Sequence, residues 1–184
     1  SERPGIELVK NGGEQEFIQF WVNTPSKYKM EPPYYLPISA DETPKIKKEN
    51  AEISVVAGEF ESLIGPAKTY SPQTLLRIET EASTKLMLPI PERYNTILYI
   101  LNGKLSADGK HAKSKDMIWF ENDGAGIEID ILEPSRLIIL SGEPIGESVA
   151  AYGPFVMNSQ EELQQAVNDF HNGNMGTLNE TFDS

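Results

Sequence analysis

Cysteine is absent from this sequence of 184 residues, and histidine occurs only twice. Without thiols the chain can form no disulfide bond and offers no thiolate for catalysis or metal binding. His111 and His171 lie far apart, and neither has a second histidine two or four positions away. Since a transition-metal site needs three or four converging ligands, we predict that neither histidine binds a metal. The lack of cysteine fits a reducing compartment, so we predict a cytoplasmic protein.

Positive charge is also scarce, because 16 lysine and arginine residues face 28 aspartate and glutamate residues, for a net charge of -12. A surface this acidic repels phosphate backbones and anionic lipids, so we predict no direct nucleic-acid partner and no membrane partner. No apolar run approaches the roughly 18 residues that a membrane-spanning helix needs. The charge balance leaves a protein partner as the expected kind.

Short apolar segments separated by turn residues dominate the sequence up to residue 140. Nine of them alternate or are continuously apolar in the manner of β-strands: residues 16–22, 53–57, 75–81, 85–88, 94–101, 104–107, 116–120, 126–132 and 136–140. Turns recur about every eight to twelve residues, and no helix separates the strands. This spacing predicts an all-β barrel or sandwich rather than a parallel α/β sheet. Asn102-Gly103 and Asp108-Gly109 are predicted hairpin turns.

Several segments between these strands are predicted to be irregular: residues 1–14, 45–50 and 59–71. Residues 24–37 contain four prolines, which fix φ and remove backbone donors, so this stretch is expected to run extended over the barrel. Its large side chains, Tyr28, Met30, Tyr34 and Tyr35, are expected to be buried there rather than to form a ligand cage.

One amphipathic helix is predicted from Ser159 to about Asn172. Ser159 and Glu162 have the spacing of a capping box, and Asn172-Gly173 is a typical helix end. The spacing i, i+3, i+4, i+7 gives the helix one apolar face: Leu163, Ala166, Val167 and Phe170.

Candidate catalytic motifs are few. The Gly124-Ala125-Gly126 run lies between two predicted strands instead of before a helix, so it does not indicate a phosphate loop. Glu143 follows Ser-Gly and precedes Pro-Ile-Gly where a loop would leave the barrel. We expect its carboxylate to close that turn through backbone N–H groups.

Four segments near the end of the chain resemble the closing part of the pirin family. They read ILSGEPIGE at 139–147, YGPFVMN at 152–158, QEE at 160–162 and GNMG at 173–176. Three upstream segments are similar to the same family: QFWVNTP at 19–25 with Lys27, Lys29 and Met30; VAG at 56–58 with Gly65-Pro66; and PERYN at 91–95 with Tyr99, Leu101 and Gly103. The matches occur in order over nearly the whole chain.

This resemblance implies a cupin-like jelly-roll β-barrel with a C-terminal amphipathic helix. Pirins are two such barrels packed face to face, and their metal, usually iron, lies in the N-terminal barrel. Three histidines and one glutamate hold it, the last two in a His-x-Glu run commonly followed by Arg-Pro. This chain begins Ser1-Glu2-Arg3-Pro4. Glu2 therefore corresponds to the metal-binding glutamate, and all three histidines would precede Ser1.

The second barrel offers no replacement ligands. Where a metal-bearing cupin would carry paired histidines, this chain has Tyr94-Asn95 and Tyr99. The resemblance thus implies an incomplete site with Glu2 as its last trace and no cofactor in this chain. Iron, or another divalent metal, is expected in the intact family member.

The domain organisation follows from the same resemblance. Residues 1–37 are expected to be the remainder of the N-terminal barrel and an interdomain segment. Residues 38–158 are expected to form the C-terminal cupin-like barrel, and residues 159–184 the helix and tail. The chain is then either a fragment of a longer pirin or a truncated relative.

Two functions stay open at this stage. Intact members of the family resemble iron-dependent quercetin 2,3-dioxygenases, and this chain alone is expected to lack the metal site and the activity. The alternative is a protein-binding module without catalysis, like the transcription co-regulators among animal pirins. A barrel face that lacks its twin would expose apolar surface. We therefore predict either a homodimer or a loosely folded segment over residues 1–30.

Overall fold

The structure, a computed structural model, describes residues 6–176. The described residues form two compact units: residues 30–146 make one, and residues 6–29 and 147–176, from the two chain ends, make the other. The division at residues 37 and 158 stays a prediction about domains, because a compact unit need not coincide with a domain.

Twelve of the fourteen strands in the described part of the chain lie in the central unit. They are β1 (Lys45–Lys48), β2 (Ala51–Ala57), β3 (Glu59–Phe60), β4 (Leu63–Ile64), β5 (Gln73–Thr80), β6 (Thr84–Pro89), β7 (Asn95–Asn102), β8 (Lys104–Ala107), β9 (Lys110–Lys113), β10 (Met117–Phe120), β11 (Gly126–Ile131) and β12 (Ser135–Gly142). A six-stranded sheet has the order β1-β2-β5-β12-β7-β10, and a four-stranded sheet has the order β6-β11-β8-β9. All pairings within them are antiparallel.

The core lies between these two sheets. Alternate residues of each strand point inward because successive side chains of a strand face opposite sides. The inward side chains are almost all aliphatic and fully buried: Ile53, Val55, Leu76, Ile78, Leu98, Ile100, Leu137 and Ile139 from the larger sheet, and Leu86, Leu88, Leu105, Ile127, Ile129 and Ile131 from the smaller. The predicted all-β barrel is confirmed.

One of the two predicted hairpin turns is wrong. β7 and β8, which flank Asn102-Gly103, belong to different sheets and do not pair. Gly103, with φ of +100°, instead turns the chain from one sheet into the other. The Asp108-Gly109 turn is confirmed, since β8 pairs with β9 across it and both residues have positive φ (49° and 70°).

Two predicted loops contain strands. β1 lies within residues 45–50, where its lysines alternate with the partly buried Ile46 and it pairs with β2. The lysine-rich composition concealed this strand, because an edge strand tolerates charge that a central strand does not. The short β3–β4 hairpin lies within residues 59–71.

The unit of the two chain ends contains α1 (Ile6–Asn11), a 3-10 turn (Ser26–Tyr28), β13 (Ala150–Tyr152), β14 (Phe155–Met157) and α2 (Gln160–His171). The irregular lead-in predicted for residues 1–14 therefore includes a helix. The strand predicted over residues 16–22 is wrong, since residues 12–25 are neither helix nor strand. Its Phe17 and Trp21 side chains are 71% and 66% exposed. An alternating pattern becomes a strand only where a neighbouring strand supplies hydrogen bonds and cover.

The proline-rich stretch is irregular as predicted, but its large side chains are not all buried. Met30 is 80% exposed and Tyr35 is 89% exposed. Tyr34 contacts Tyr70 edge-to-face at 6.5 Å between ring centroids, and its hydroxyl donates to the Lys68 carbonyl (3.2 Å). The prediction that Met30 and Tyr35 are buried is therefore wrong. The prolines keep the segment extended, but they supply no apolar surface on which these side chains could pack.

The C-terminal helix is confirmed with its capping box. The Glu162 N–H donates to Ser159 Oγ (3.2 Å), and the Ser159 N–H donates to the Glu162 carboxylate (2.9 Å). Leu163 is buried, whereas Phe170 is exposed and packs its ring edge-to-face on Phe155 at 6.1 Å. No helix within residues 6–176 is long and apolar enough to cross a membrane.

Candidate functional site

The barrel interior is the first place to examine, because it is enclosed by both sheets. Its middle is filled by aliphatic side chains, and the few polar groups near its ends are hydroxyls that bond within the barrel. Thr96 Oγ1 and Ser141 Oγ share a buried hydrogen bond of 2.8 Å, and the Ser135 N–H donates to Thr80 Oγ1 (3.0 Å). Aliphatic groups and neutral hydroxyls do not fit a divalent iron ion, which prefers imidazole and carboxylate ligands.

The sequence predicted one metal ligand, Glu2, and no metal-binding role for either histidine. Glu2 lies outside the described residues. His111 lies in β9 of the central unit, and His171 is the last residue of α2 in the other unit. Within residues 6–176, no group of three or more histidine, aspartate and glutamate side chains is placed to hold a metal ion. Tyr94 packs against the barrel core, and Tyr99 lies on the outer side of β7.

An open cleft of about 610 Å³ lies in the central unit. Its wall combines aromatic, proline and acidic residues: Gly58, Glu59, Phe60, Glu61, Thr69, Pro72, Gln73, Thr74, Pro89, Ile90, Pro91, Tyr94 and Ala125. Glu61 is paired with the Lys48 ammonium group. The cleft can receive a small ligand with an apolar body, and Glu59 adds a second carboxylate to its wall.

Glu143 does not close its turn in the way that the sequence suggested. Its carboxylate forms an ion pair with Arg93, at 3.0 Å between Oε1 and Nε. The turn is held instead by the Glu143 backbone N–H, which donates to the Pro72 carbonyl (2.9 Å). Because this backbone hydrogen bond already holds the turn, the Glu143 carboxylate can pair with Arg93 instead. Arg93 is mostly exposed, so this pair contributes little to stability.

Glu147 forms the most connected polar cluster of the other unit. Its carboxylate accepts hydrogen bonds from the Ser26 N–H (2.7 Å), the Ser26 hydroxyl (3.0 Å) and the Asn158 amide (3.0 Å). The Asn158 amide also donates to the Ser148 carbonyl (2.9 Å). Beside it, Lys29 Nζ donates to Asn23 Oδ1 (2.6 Å). The cluster thus joins residues 23–29 to residues 147–158.

These contacts lower the pKa of Glu147. The main cause is the hydrogen bond from the Ser26 backbone N–H, followed by those from the Ser26 and Asn158 side chains and by the charge of Lys29. Each favours the ionised carboxylate. Its hydrogen bonds to Ser26 and Asn158 make this carboxylate a structural clasp between the two stretches.

The sequence contained a signal for this clasp. Asn23, Lys29, Glu147 and Asn158 all fall within the segments that carry the family resemblance. They lie on two stretches of the sequence with all the barrel strands between them. Their contacts could therefore not be derived from sequence spacing. Several of the residues that carry the resemblance therefore take part in contacts between the two ends of the chain.

The class of protein follows from the architecture: two antiparallel sheets enclose one aliphatic core, and a C-terminal helix follows them, as in the cupin fold. The family model of the pirin C-terminal cupin domain matches residues 75–176. The chain belongs to the pirin family.

Relatives support the same assignment. A protein of Pseudomonas aeruginosa with the name "Putative quercetin 2,3-dioxygenase" is 34% identical over 164 residues, which are 88% of this chain and 57% of that protein. Human pirin is 30% identical over 164 residues, 86% of this chain and 57% of its own length. The crystal structure of quercetin 2,3-dioxygenase from Acinetobacter baumannii superposes with a TM-score of 0.81 at 31% identity, covering 85% of this chain and 56% of that one. The chain spans a little over half the length of these relatives.

Proposed function

We propose that this chain is the C-terminal cupin portion of a pirin-like quercetin 2,3-dioxygenase and that it serves as the non-catalytic partner barrel. In this proposal the metal, iron or another divalent ion, is held by residues outside 6–176, with Glu2 among them. The chain alone then has no dioxygenase activity.

The aliphatic filling of the barrel is the observation that carries this proposal. A metal-dependent dioxygenase must bind its metal and its flavonol together in a cavity with an open coordination position. Leu76, Leu98 and Ile139 are fully buried where such a cavity would have to open. The similarity to the Acinetobacter quercetin 2,3-dioxygenase supports dioxygenase activity in a protein that contains this barrel, and the aliphatic packing supports a structural role for the barrel itself.

Metal analysis and turnover of the 184-residue chain test the proposal. The purified chain is incubated with iron(II), and separately with manganese(II) and nickel(II), and is then desalted. Bound metal is measured by elemental analysis, and quercetin consumption is followed by absorbance. We expect far less than one metal ion per chain and no turnover above a metal-only blank.

A positive control comes from a full-length relative. The Acinetobacter enzyme, taken through the same loading, shows that the assay detects a working site. Stoichiometric metal with quercetin turnover in the 184-residue chain would contradict the proposal. Metal binding without turnover would contradict the assignment of the ligands to residues outside 6–176.

A second candidate, a protein-binding module, is favoured by the exposed apolar side chains of the unit formed by the chain ends. Phe17, Trp21 and Val149 all belong to this unit, and each is more than half exposed. A pull-down with the chain as bait tests this function, with Trp21→Lys as the variant expected to lose the partner. Equal capture by the variant would count against this surface.

A further inference from the structure

Three asparagine residues of this chain are followed directly by glycine, and at each of them the backbone can attack the side chain. The pairs are Asn11-Gly12, Asn102-Gly103 and Asn172-Gly173. Glycine has no Cβ, so its nitrogen is the least shielded nucleophile that can follow an asparagine. Because the three dipeptides are chemically identical, the folded structure decides which of them reacts.

The reaction is a ring closure followed by hydrolysis. The glycine nitrogen loses its proton and attacks the asparagine Cγ, a new C–N bond forms, and the side-chain nitrogen leaves as ammonia. Water then opens the succinimide ring at one of its two carbonyl carbons, which gives aspartate or isoaspartate. The closure requires the glycine N–H to leave its hydrogen bond and the nitrogen to come into contact with Cγ. Its rate therefore follows how readily the local backbone opens.

The Asn102-Gly103 pair is fixed at the corner between the two sheets. The Gly103 N–H donates to Ser114 Oγ (3.0 Å), and the Gly103 carbonyl accepts from the Ser114 N–H (3.0 Å). Asn102 Oδ1 accepts from Arg136 Nε (3.1 Å), and Gly103 is buried. Ring closure at this pair needs the sheet corner to open, so we expect it to occur only through extensive unfolding.

The Asn172-Gly173 pair lies at the end of α2 and is exposed. The Gly173 N–H donates to the Phe170 carbonyl (3.1 Å). The next N–H, that of Asn174, donates to the Asp169 carbonyl (2.8 Å). α2 is twelve residues long, begins with a capping box and buries Leu163. Fraying of its last turn is therefore opposed by a packed and capped helix.

The Asn11-Gly12 pair ends α1, which lacks such support. α1 has six residues, and none of them is buried. A helix this short is marginal in water unless packing stabilises it. The Gly12 N–H donates to the Leu8 carbonyl (2.9 Å), and Asn11 Nδ2 donates to Glu7 Oε2 (2.9 Å), both at the exposed end of the helix. A Cβ on Gly12 would meet nothing within 4 Å, so no packed neighbour opposes rotation of this backbone.

We propose that Asn11 is a site of spontaneous deamidation in this chain and that the reaction unwinds the end of α1. The product carries a carboxylate where the Asn11 amide now donates to the Glu7 carboxylate, so an attraction becomes a repulsion. The new charge also lies at the C-terminal end of a helix, where anions are disfavoured. Isoaspartate, the other product, adds a methylene group to the main chain and cannot continue the helical hydrogen bonds.

Peptide mass spectrometry of the folded chain, incubated in mildly alkaline buffer, measures the reaction at all three pairs in one sample. Deamidation replaces NH₂ by OH and raises the peptide mass, and chromatography separates the aspartate and isoaspartate forms. We expect Asn11 to deamidate about tenfold or more faster than Asn172 and about a hundredfold or more faster than Asn102. In concentrated urea the three rates should converge, because unfolding removes the structural differences between the pairs.

Two substitutions at Asn11 test the effect on α1. Asn11→Asp carries the product charge, and NMR should show the Cα chemical shifts of α1 losing their helical displacement. Asn11→Gln is the matched control, because it keeps a neutral amide at the same position. It should retain the helical shifts and gain no mass at this peptide over the same period, since its longer side chain would have to close a six-membered ring.

Three results would overturn the proposal. One is deamidation of Asn11 in the folded chain that is no faster than that of Asn172 or Asn102. Another is an Asn11 rate more than about a hundredfold below its own rate in urea, because α1 would then be a protected element. The third is an Asn11→Asp chain that keeps the helical shifts of α1, which would contradict the unwinding.

Discussion

Gly103 is the residue at which the chain passes from one sheet to the other, and it offers a sharp test of the packing described above. A Cβ atom built on Gly103 would lie 1.9 Å from Ser135 Oγ, 2.6 Å from Ser135 Cβ and 2.8 Å from Ser135 Cα. The backbone of Gly103 cannot move away easily, because its N–H donates to Ser114 Oγ (3.0 Å) and its carbonyl accepts from the Ser114 N–H (3.0 Å). Gly103→Ala is therefore expected to force β12 and the sheet corner apart.

Two costs add at this position. The φ of +100° is strained for alanine, which costs about 1–3 kcal/mol. Displacing the Ser135 backbone in a packed sheet costs about a further 1–3 kcal/mol, as in overpacked cores. We expect Gly103→Ala to lower the free energy of unfolding by about 2–6 kcal/mol.

Gly109 provides the matched control. It also has a positive φ, 70°, but a Cβ there would meet nothing within 4 Å. Gly109→Ala should therefore cost only the backbone strain, about 1–2 kcal/mol. Urea denaturation of both variants measures the difference, provided that the m-values agree. If the two variants lose the same stability, the close approach of Gly103 to β12 has no energetic consequence and the reasoning fails.

Two further predictions concern the glutamates. Because the pKa of Glu147 is lowered in the folded chain, its stabilising effect is present above the ordinary carboxyl pKa and is lost as the pH falls through the folded value. Glu147→Gln should therefore reduce thermal stability at neutral pH, with a deficit that shrinks in acid. Glu92→Gln, at an exposed site, should show no such deficit, and a pH-independent deficit for Glu147→Gln would refute the linkage. In a protein that carries this chain behind an N-terminal pirin barrel, Glu2→Gln should lower the bound metal per chain while Glu7→Gln should not, and unchanged metal content by elemental analysis would remove Glu2 from the site.

Local sequence patterns predicted the barrel strands well where the inward side chains are fully buried. The strands at 53–57, 94–101 and 126–132 are confirmed to within a few residues, because their inward side chains are aliphatic and their turns are marked by glycine, asparagine or proline. The C-terminal helix was equally clear from its capping box and apolar spacing. These signals depend on neighbours within a few positions, which is why they can be read from the sequence.

Predictions failed where a partner far along the chain determines the outcome. Residues 16–22 alternate like a strand but have no strand beside them in the described structure, while the lysine-rich β1 is a strand because β2 lies next to it. Asn102-Gly103 has hairpin composition, yet the sheets separate there. Local composition cannot distinguish a turn between paired strands from a corner between two sheets.

The sequence by itself determined the family, the all-β class and the capped helix, since each depends on residue identity and short spacing. Only the tertiary structure decided that Glu147 clasps Ser26, that Glu143 pairs with Arg93, and that β7 and β8 belong to different sheets. Those features arise from contacts between residues distant in sequence, and the folded backbone alone brings them within hydrogen-bonding distance.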